Sequence, residues 1–253
     1  MRLSRPAFPN ARSLALYTAL QDRVAALDLP LHVVLGGDGT MLHCIHQHGG
    51  EGNFFGVNCG TLGFLMNDIP GEVDEVAEQV LRVLQQKSWK ALDFPCLQLH
   101  AEGPDGAIED FAVNDVYIAR ETGQTVHLRV VVDGVEVVNR LICDGLIAAT
   151  PLGSTAYSFS AGGPAAHPLV EALQLTAICP HSPRLSPMVL PLGTRVEVEV
   201  ESPDRRPARV SVDGQDRGRV RRLGVSLSSR RVTLCFLQEH DFTATLVRKI
   251  LHA

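Results

Sequence analysis

The sequence lacks the features that mark several large classes of protein. Its formal net charge is −5, whereas a general nucleic-acid binder carries an excess of basic residues. No apolar run approaches the length of a membrane-spanning helix, and the first residues contain no apolar core of a signal peptide. We therefore expect a cytoplasmic protein that binds neither nucleic acid nor membranes.

Cysteine pairs and a common dinucleotide-binding motif are also missing. The six cysteines lie far apart and form no CxxC, so they match neither a zinc site nor the disulfide framework of a small secreted domain. We expect them to be reduced thiols. No GxGxxG follows a first strand, which argues against a Rossmann dehydrogenase.

The chain does contain a glycine turn directly after a short apolar run, LHVVLGGDGT at 31–40. The run is typical of a buried strand, and a helix is expected to start near Met41. Backbone N–H groups of glycines and a helix N-terminus together favour a phosphate. Asp38 is placed to take a proton from a hydroxyl that attacks this phosphate, although a tight turn in which Asp38 caps the helix is the alternative. The candidate phosphate-binding residues are Gly36, Gly37, Gly39 and Thr40.

The first third of the chain alternates between strand and helix patterns. We find no convincing strand before the first helix, and the segment Gly71–Lys87 has the clearest helical spacing. Such alternation favours a parallel sheet. The predicted elements are a helix over 13–27, strands over 31–35 and 54–58, and helices over 41–48 and 71–87.

Beyond Trp89 the pattern changes to alternating residues that are typical of strands. Asp133-Gly134 is a strong hairpin signal, and Arg195–Glu201 alternates as a half-buried antiparallel strand does. Phe242–His252 returns to a helical pattern. The predicted strands are 96–101, 108–119, 127–132, 135–138, 146–149, 195–201, 208–212, 223–228 and 232–236.

These patterns predict an α/β fold class combined with an all-β part. We expect an N-terminal Rossmann-like α/β domain over residues 1–92, completed by residues 238–253, and a C-terminal β-sandwich-like domain over 93–237. The C-terminal helix is expected to return to the first domain.

A second glycine-rich stretch, residues 143–168, interrupts the β region. Its many hydroxyls and small side chains make a poor core but suit sugar hydroxyls and phosphates. Tyr157 offers a flat face to a base, and Asp144 is placed to accept hydrogen bonds from a ribose or an amine. The alternative is an irregular polar loop, although loops of this length tend to be functional.

Several motifs occur in one order along the chain: GGDGT, Asn114-Asp115 in a strand, DGLIAATPLGSTAYSFSAGGP and SVDGQ. Together they resemble the NAD kinase family, over about residues 31–236. GGDGT alone is shared with diacylglycerol and sphingosine kinases and resembles the phosphofructokinase turn. TPxGSTAYSxSAGGP is much narrower and carries most of the resemblance.

The resemblance implies a phosphotransferase that makes NADP from NAD. A phosphoryl group from ATP or polyphosphate would pass, with Mg²⁺ or another divalent cation, to the 2′-hydroxyl of the adenosine ribose. The resemblance further implies a site between the two domains and a homodimer or homotetramer. Because no GxxxxGK[ST] motif is present, we expect phosphate oxygens and water to supply most ligands of the Mg²⁺.

Individual roles are carried over by position in the matching motifs. The resemblance makes Asp38 the base that takes the 2′-hydroxyl proton, with Gly39 in the same turn against the dinucleotide. It makes Asn114 and Asp115 the pair that holds adenosine, and Asp144 an acidic contact. The other NAD-binding residues that it implies are His127, Thr155, Ala156, Tyr157, Ser158, Phe159, Ser160 and Gln215.

The chain departs from the family pattern in four places. Leu152 replaces the usual polar residue of TPxGSTAY, and Ile142 stands where some members carry a basic residue. PHSPRLSPMVLP moves the usual arginine to Arg184. The N-terminus is short, so the usual first strand is expected to be absent or irregular. These changes bear on substrate affinity more than on the type of reaction.

Two other functions remain open from the sequence. A lipid kinase would share the GGDGT turn, but it needs an apolar pocket or a membrane-facing surface, which the polar segment 150–160 does not favour. A non-catalytic dinucleotide sensor would bind NAD without turnover, and the intact Asp38 argues against it.

Overall fold

The computed structural model of the protein describes residues 2–60 and 63–251. The chain forms two compact units, the first comprising Met1–Phe94 and Arg231–Ala253 and the second Pro95–Arg230. Each unit has a hydrophobic core of its own. None of the helices within the described ranges has the length and apolar character that a membrane crossing requires.

The first unit alternates strands and helices. Its helix over Val73–Gln86 buries Val76, Val80 and Leu84, because apolar residues recur at the spacing of one helix face. The elements of this unit are β1 (Arg2–Ser4), α1 (Ala11–Ala25), β2 (Leu31–Gly36), α2 (Asp38–Gln47), β3 (Asn53–Asn58), α3 (Val73–Gln86) and α5 (Phe242–Leu251).

A parallel sheet forms the centre of the first unit. β1, β2 and β3 are parallel neighbours in that order, and β3 also pairs in parallel with the end of β15 (Arg222–Leu237), where Asn53 lies opposite Thr233. The alternation of strand and helix patterns predicts this sheet, and the structure confirms it. Helices α1 and α3 bury their apolar faces in the same core as β2 and β3.

Two boundaries near the N-terminus differ from the sequence prediction. β1 precedes the first helix, although the sequence shows no convincing strand there. Three residues are too few to show an alternating pattern, and the strand is recognised only by its pairing with β2. Helix α2 begins at Asp38 rather than near Met41, since Gly37 is its N-cap residue. Asp38 is therefore the first residue of the helix and not its cap.

The second unit consists mainly of antiparallel strands. Two long strands, β4 (Trp89–Gly103) and β15, run from one unit into the other along the chain. The elements are β4 (Trp89–Gly103), β5 (Gly106–Ala112), β6 (Asp115–Arg120), β7 (Val126–Val132), β8 (Val135–Cys143), β9 (Gly145–Ala149), a short 3-10 helix (Leu152–Thr155), α4 (Tyr157–Ser160), β10 (Ala172–Ile178), β11 (Met188–Pro191), β12 (Val196–Val200), β13 (Ala208–Val212), β14 (Gln215–Val220) and the first half of β15.

These strands form two sheets that share a core. One sheet contains β4, β5, β7, β8, β12 and the first half of β15, and the other has the strand order β11-β10-β9-β6-β13-β14. Buried residues of both sheets, such as Leu99 and Val130 of the first and Ile118 and Val210 of the second, belong to one apolar cluster. The predicted α/β fold class with a C-terminal β-sandwich-like domain is thus confirmed.

The sequence prediction misses or misplaces several strands of this unit. β10 is buried along its whole length, so it lacks the alternation of a half-buried strand, and β11 has only four residues. The predicted strand 108–119 is two strands, interrupted at Val113 and Asn114. The two strands predicted over 223–236 are one continuous strand, β15.

Candidate active site

The glycine turn lies between β2 and α2. The carbonyl of Gly37 accepts hydrogen bonds from the N–H groups of Thr40 and Met41 at 3.0 and 3.1 Å, which starts the helix at Asp38. A Cβ at Gly36 would overlap the hydroxyl of Thr40, so this position requires glycine. The first N–H groups of a helix have no acceptor within the helix, and together with the helix dipole they attract an anion.

The carboxylate of Asp38 is held by a loop of the same unit. Its Oδ2 accepts a hydrogen bond from the N–H of Phe64 and its Oδ1 accepts one from the N–H of Leu65, both at 3.0 Å. A Cβ at Gly63 would overlap Oδ1, so glycine permits the close approach of loop and carboxylate. The Asp38 side chain nevertheless remains 25% exposed, so a fixed carboxylate still faces solvent.

Helix α5 brings a cation to this carboxylate. Lys249 Nζ lies 3.6 Å from Asp38 Oδ2 and 4.8 Å from the centroid of the Phe64 ring. The helix is positioned by Phe242, whose ring packs edge-on against the ring of Phe236 with 4.9 Å between the centroids. The predicted return of the C-terminal helix to the first unit is confirmed.

The loop that binds the carboxylate is itself anchored by a buried amide side chain. Asn67 is fully buried, and its Nδ2 donates to the carbonyls of Gly56 and Cys235 at 2.9 and 3.0 Å. Its Oδ1 accepts a hydrogen bond from the N–H of Leu237 at 2.8 Å. These bonds tie the loop to β3 and β15. Residues 61 and 62 of the family segment NCGTLGFL lie outside the described residues.

In the second unit, one carboxylate accepts hydrogen bonds from three successive backbone N–H groups. Asp213 Oδ1 accepts from the N–H groups of Asn114 and Asp115 at 2.7 and 3.1 Å, and Oδ2 accepts from the N–H of Val113 at 2.9 Å. Asp213 has a φ of +48° and precedes Gly214 in the hairpin between β13 and β14, a backbone region that aspartate tolerates better than most residues. The hairpin turn therefore fixes the backbone of the predicted adenosine-binding pair.

Asn114 and Asp115 are both buried, with 8% and 3% of their surface exposed. Burial, followed by the nearby charge of Asp213, raises the pKa of Asp115 to about 7, because a poorly solvated site beside a like charge disfavours the ionised carboxylate. The side-chain oxygen of Asn114 has no hydrogen-bond partner among the described residues. An unpaired buried acceptor is costly, so a ligand that brings a donor would relieve this cost.

The start of the second glycine-rich stretch packs on the backbone of this pair. Thr150 donates from Oγ1 to the carbonyl of Val113 at 2.7 Å, and its N–H donates to the carbonyl of Asn114 at 2.9 Å. A Cβ at Gly153 would lie 2.6 Å from the Cα of Asn114, so only glycine fits there. The structure thus brings Asn114, Asp115 and the 150–155 segment together.

The predicted dinucleotide-binding segment divides into exposed and buried side chains. Tyr157 is 39% exposed, and its ring meets that of Tyr117 edge-on with 5.0 Å between the centroids. Ser158 is fully buried, and its Oγ lies 2.9 Å from Oγ1 of Thr176, so this hydroxyl is satisfied inside the unit. Ser160 is exposed. Thr155, Ala156 and Phe159 are partly exposed.

Asp144 and Gln215 already have partners within the protein. Arg120 Nε lies 2.6 Å from Asp144 Oδ1. The two terminal nitrogens of Arg217 both donate to Gln215 Oε1 at 3.2 Å, while Arg217 Nε donates to Asp110 at 2.5 Å. A ligand that uses Asp144 or the oxygen of Gln215 has to share these contacts.

His127 lies apart from the strand that begins with the adenosine-binding pair. It sits on β7, which belongs to the other sheet of the unit from β6, and its side chain is partly exposed. Burial and the positive charges of Arg206 and Arg140 lower the pKa of His127, while Glu201 acts in the opposite direction. A neutral imidazole is therefore favoured at this position.

The structure places three of the residues that depart from the family pattern. Leu152 is 4% exposed, so an apolar side chain at this position packs in the interior. The backbone N–H of Ile142 donates to the carbonyl of Ser182 at 2.8 Å, and the carbonyl of Ile142 accepts from the N–H of His181 at 2.7 Å. Arg184 is exposed.

Two residues with central contacts are missing from the sequence-predicted set. Asp213 lies in the SVDGQ motif, but from the sequence this motif is equally consistent with a simple hairpin turn. No sequence pattern identifies Lys249 as a site residue, because its contact with Asp38 joins residues far apart in the chain. Among residues 2–60 and 63–251, no group of three or more histidine, cysteine, aspartate or glutamate side chains is arranged to hold a metal ion.

Comparison with known proteins finds relatives both in sequence and in structure. The sequence model of the ATP-NAD kinase C-terminal domain matches residues 113–230. The NAD kinase of Hyphomonas neptunium is 34% identical over 221 residues, which cover 86% of this chain and 84% of that protein. Solved structures give the same result.

The crystal structure of yeast NADH kinase complexed with NADH superposes with a TM-score of 0.76 at 30% identity, covering 88% of this chain and 66% of the yeast chain. The present chain thus spans about two thirds of the length of that protein. The NAD kinase from Archaeoglobus fulgidus in complex with ATP gives a TM-score of 0.77 at 25% identity, covering 97% of this chain and 96% of the other.

Proposed function

This chain belongs to the NAD kinase family, and we propose that it transfers a phosphoryl group from ATP to the 2′-hydroxyl of the adenosine ribose of NAD. The product of this reaction is NADP. The resemblance seen in the sequence motifs is confirmed by the relatives named NAD kinase. NADH in the yeast structure and ATP in the archaeal structure support a dinucleotide and ATP as the substrates.

The observation that carries the mechanism is the Asp38 carboxylate, which is held by two backbone N–H groups and remains partly exposed. A ribose hydroxyl is a weak nucleophile at neutral pH, and a carboxylate within hydrogen-bond reach can take its proton as the bond to phosphorus forms. Such general-base catalysis typically contributes about 10²–10⁴-fold. The N–H groups of Phe64 and Leu65 orient both oxygens, so Asp38 is placed before substrate binds.

The glycine turn supplies the proposed site for the donor phosphates. Phosphoryl transfer depends mainly on positioning and on neutralising the charge of the transferred group. Backbone N–H groups of Gly37 and Gly39, at the start of α2, suit both tasks because they are aligned with the helix dipole. The N–H of Thr40 already donates to the carbonyl of Gly37, so Thr40 would contribute to a phosphate site by shaping the turn. Gly36 contributes by letting Thr40 pack against the end of β2.

The pair Asn114-Asp115 is the proposed adenosine site. The unpaired oxygen of Asn114 is suited to the exocyclic amino group of adenine, and Asp115 lies beside it at the start of β6. Tyr157 presents an exposed ring to a base or ribose, as the most accessible member of the 155–160 segment. Asp144, His127 and Gln215 are further proposed contacts of the dinucleotide, whereas the buried Ser158 supports the loop from within.

A divalent cation such as Mg²⁺ is proposed as the cofactor. When bound, it would neutralise the charge on the donor phosphates. Asp38 is the one carboxylate of the glycine turn, so oxygens of phosphate and water are proposed to supply most of the ligands. We also propose that the protein is cytoplasmic and that it forms a homodimer or a homotetramer. Sedimentation of the purified protein tests the oligomeric state.

The test of the function is NADP formation from NAD and ATP with Mg²⁺, measured with an NADP-specific dehydrogenase. The wild-type protein is expected to form NADP. Asp38→Asn, which keeps the shape and removes the base, is expected to lose at least about 100-fold in rate. Equal rates would remove Asp38 as the base and leave the kinase activity standing.

If no NADP forms with ATP, further assays distinguish another donor or another function. The same assay with polyphosphate tests the second donor. NAD binding without turnover of either donor would identify a dinucleotide sensor, and phosphorylation of diacylglycerol instead of NAD would identify a lipid kinase.

A further inference from the structure

The first unit holds a charged pair that the proposed mechanism has not used. Lys249 Nζ lies 3.6 Å from Asp38 Oδ2, and both side chains are 25% exposed. The ammonium group also lies 4.8 Å from the centroid of the Phe64 ring, and Phe64 donates its N–H to the same Oδ2 atom. Asp38, Phe64 and Lys249 therefore form one cluster around a single carboxylate oxygen.

Other contacts hold α5 in place. Asp241 caps the start of the helix through its carboxylate, and Phe242 packs on Phe236 in the buried aromatic cluster. Near the C-terminal end of α5, Arg248 Nη1 lies 3.7 Å from Asp68 Oδ2. The ion pair with Asp38 is therefore not the contact that anchors this helix.

A cation at this point matters most when the substrates are bound. The proposed reaction brings the phosphates of the donor close to Asp38, and like charges repel each other strongly where water is excluded. Repulsion would push the carboxylate away from the position in which it can act as the base. The ammonium of Lys249 offsets this repulsion from a distance of 3.6 Å.

We propose that Lys249 is a positioning residue for phosphoryl transfer, which holds the Asp38 carboxylate in its orientation while the donor phosphates are bound. The inference rests on the proposed function, since it assigns Lys249 a task in that same reaction. Asp38 takes the proton of the hydroxyl, and Lys249 acts only through its contact with Asp38.

The test compares Lys249→Met with Arg248→Met in the NADP assay. Methionine keeps much of the length of the side chain and removes its charge. Lys249→Met is expected to lower kcat by about 10- to 100-fold, the order that a misplaced catalytic group costs, with the KM for NAD and the thermal unfolding midpoint little changed. Arg248→Met removes the neighbouring cation, which pairs with Asp68, and is expected to keep kcat. Lys249→Arg is expected to restore most of kcat because the charge returns.

A double-mutant cycle separates action through Asp38 from an independent contact with substrate. In an Asp38→Asn background, Lys249→Met is expected to lower kcat by no more than about twofold, because the carboxylate on which it acts is already gone. An equal loss of kcat in both backgrounds would overturn the proposal. So would a Lys249→Met variant with the kcat of the wild type.

The outcomes for the inference and for the function are distinguishable. If the wild type forms NADP and Lys249→Met forms it equally fast, only the role of Lys249 is wrong. If the wild type forms no NADP with either donor, the kinase function and the role of Lys249 both fall.

Discussion

Asp38 in the first unit and Asp213 in the second perform the same local task in different surroundings. Each lies in a turn that contains glycine, and each carboxylate accepts hydrogen bonds from the backbone of a segment distant in the chain. Asp38 binds the N–H groups of Phe64 and Leu65, whereas Asp213 binds those of residues 113–115.

The two carboxylates differ in what lies beside them. Asp38 is partly exposed and has Lys249 as a neighbour. The charge of Asp213 acts on the buried Asp115 and contributes, after burial itself, to raising the pKa of that carboxyl. Binding backbone amides therefore does not decide whether a carboxylate serves structure or chemistry. Both side chains are partly exposed, so the charge of the neighbouring side chain distinguishes the two cases.

The largest expected effect separates the two carboxylates by their kinetics. Asp38→Asn should lower kcat for NADP formation by at least about 100-fold, with the KM for NAD close to that of the wild type. Asp213→Asn should instead raise the KM for NAD with a smaller loss of kcat, because it disturbs the backbone that presents Asn114 and Asp115. Steady-state kinetics of both variants measures this. The same loss of kcat in both would break the comparison.

The second effect is a dependence of stability on pH that arises in the second unit. Folding raises the pKa of Asp115 from 3.8 to about 7, so between these values the folded chain holds a proton that the unfolded chain has lost. The contribution of Asp115 to the free energy of unfolding therefore falls as pH rises through this window and is constant above it. The fall is of the order of a few kcal/mol, since one pKa unit corresponds to about 1.4 kcal/mol.

Denaturant unfolding at pH 5 and pH 8 tests this dependence. Asp115→Asn should gain stability relative to the wild type as pH rises, because it has no proton to lose. Asp213→Asn should weaken the dependence, since it removes the like charge beside Asp115. An unchanged difference between the Asp115→Asn variant and the wild type at both pH values would show that Asp115 does not titrate in this range.

The third effect compares the structural contribution of the two carboxylates. Asp213→Ala leaves three amides without their acceptor and should lower the free energy of unfolding by about 2 kcal/mol or more, because hydrogen bonds to a charged group contribute about 1.5–3 kcal/mol. Asp38→Ala removes the acceptor of two amides rather than three and should cost less, about 1 kcal/mol. Equal costs in denaturant unfolding would contradict this ranking.

The last comparison concerns the glycines that allow each close approach. Gly153→Ala places a Cβ against the backbone of Asn114, which cannot rotate away, and should cost about 1–2 kcal/mol of stability. Gly63→Ala places a Cβ against the Asp38 carboxylate, which can rotate. It should therefore cost less than about 1 kcal/mol and act mainly on kcat. Thermal unfolding together with kinetics measures both effects, and a larger loss of stability in Gly63→Ala would reverse the ranking.

The sequence by itself determined most of the secondary structure of the first unit and the motifs of the site, because both depend on residues that are neighbours in the chain. Alternating apolar segments predict the parallel sheet of the first unit, because each βα unit carries its own periodicity. The motifs around Asp38, Asn114 and Tyr157 are contiguous, so they identify the family from the sequence alone. β10 escapes prediction because a strand buried on both faces lacks alternation.

Tertiary structure alone decided how these motifs are held. The contacts of Asp38 with Lys249, of Asp213 with residues 113–115 and of Asn67 with β15 join positions far apart in the chain. The burial that raises the pKa of Asp115 likewise depends on residues from several strands. Hydrogen bonds and desolvation depend on distances in space, and a sequence pattern records only distances along the chain.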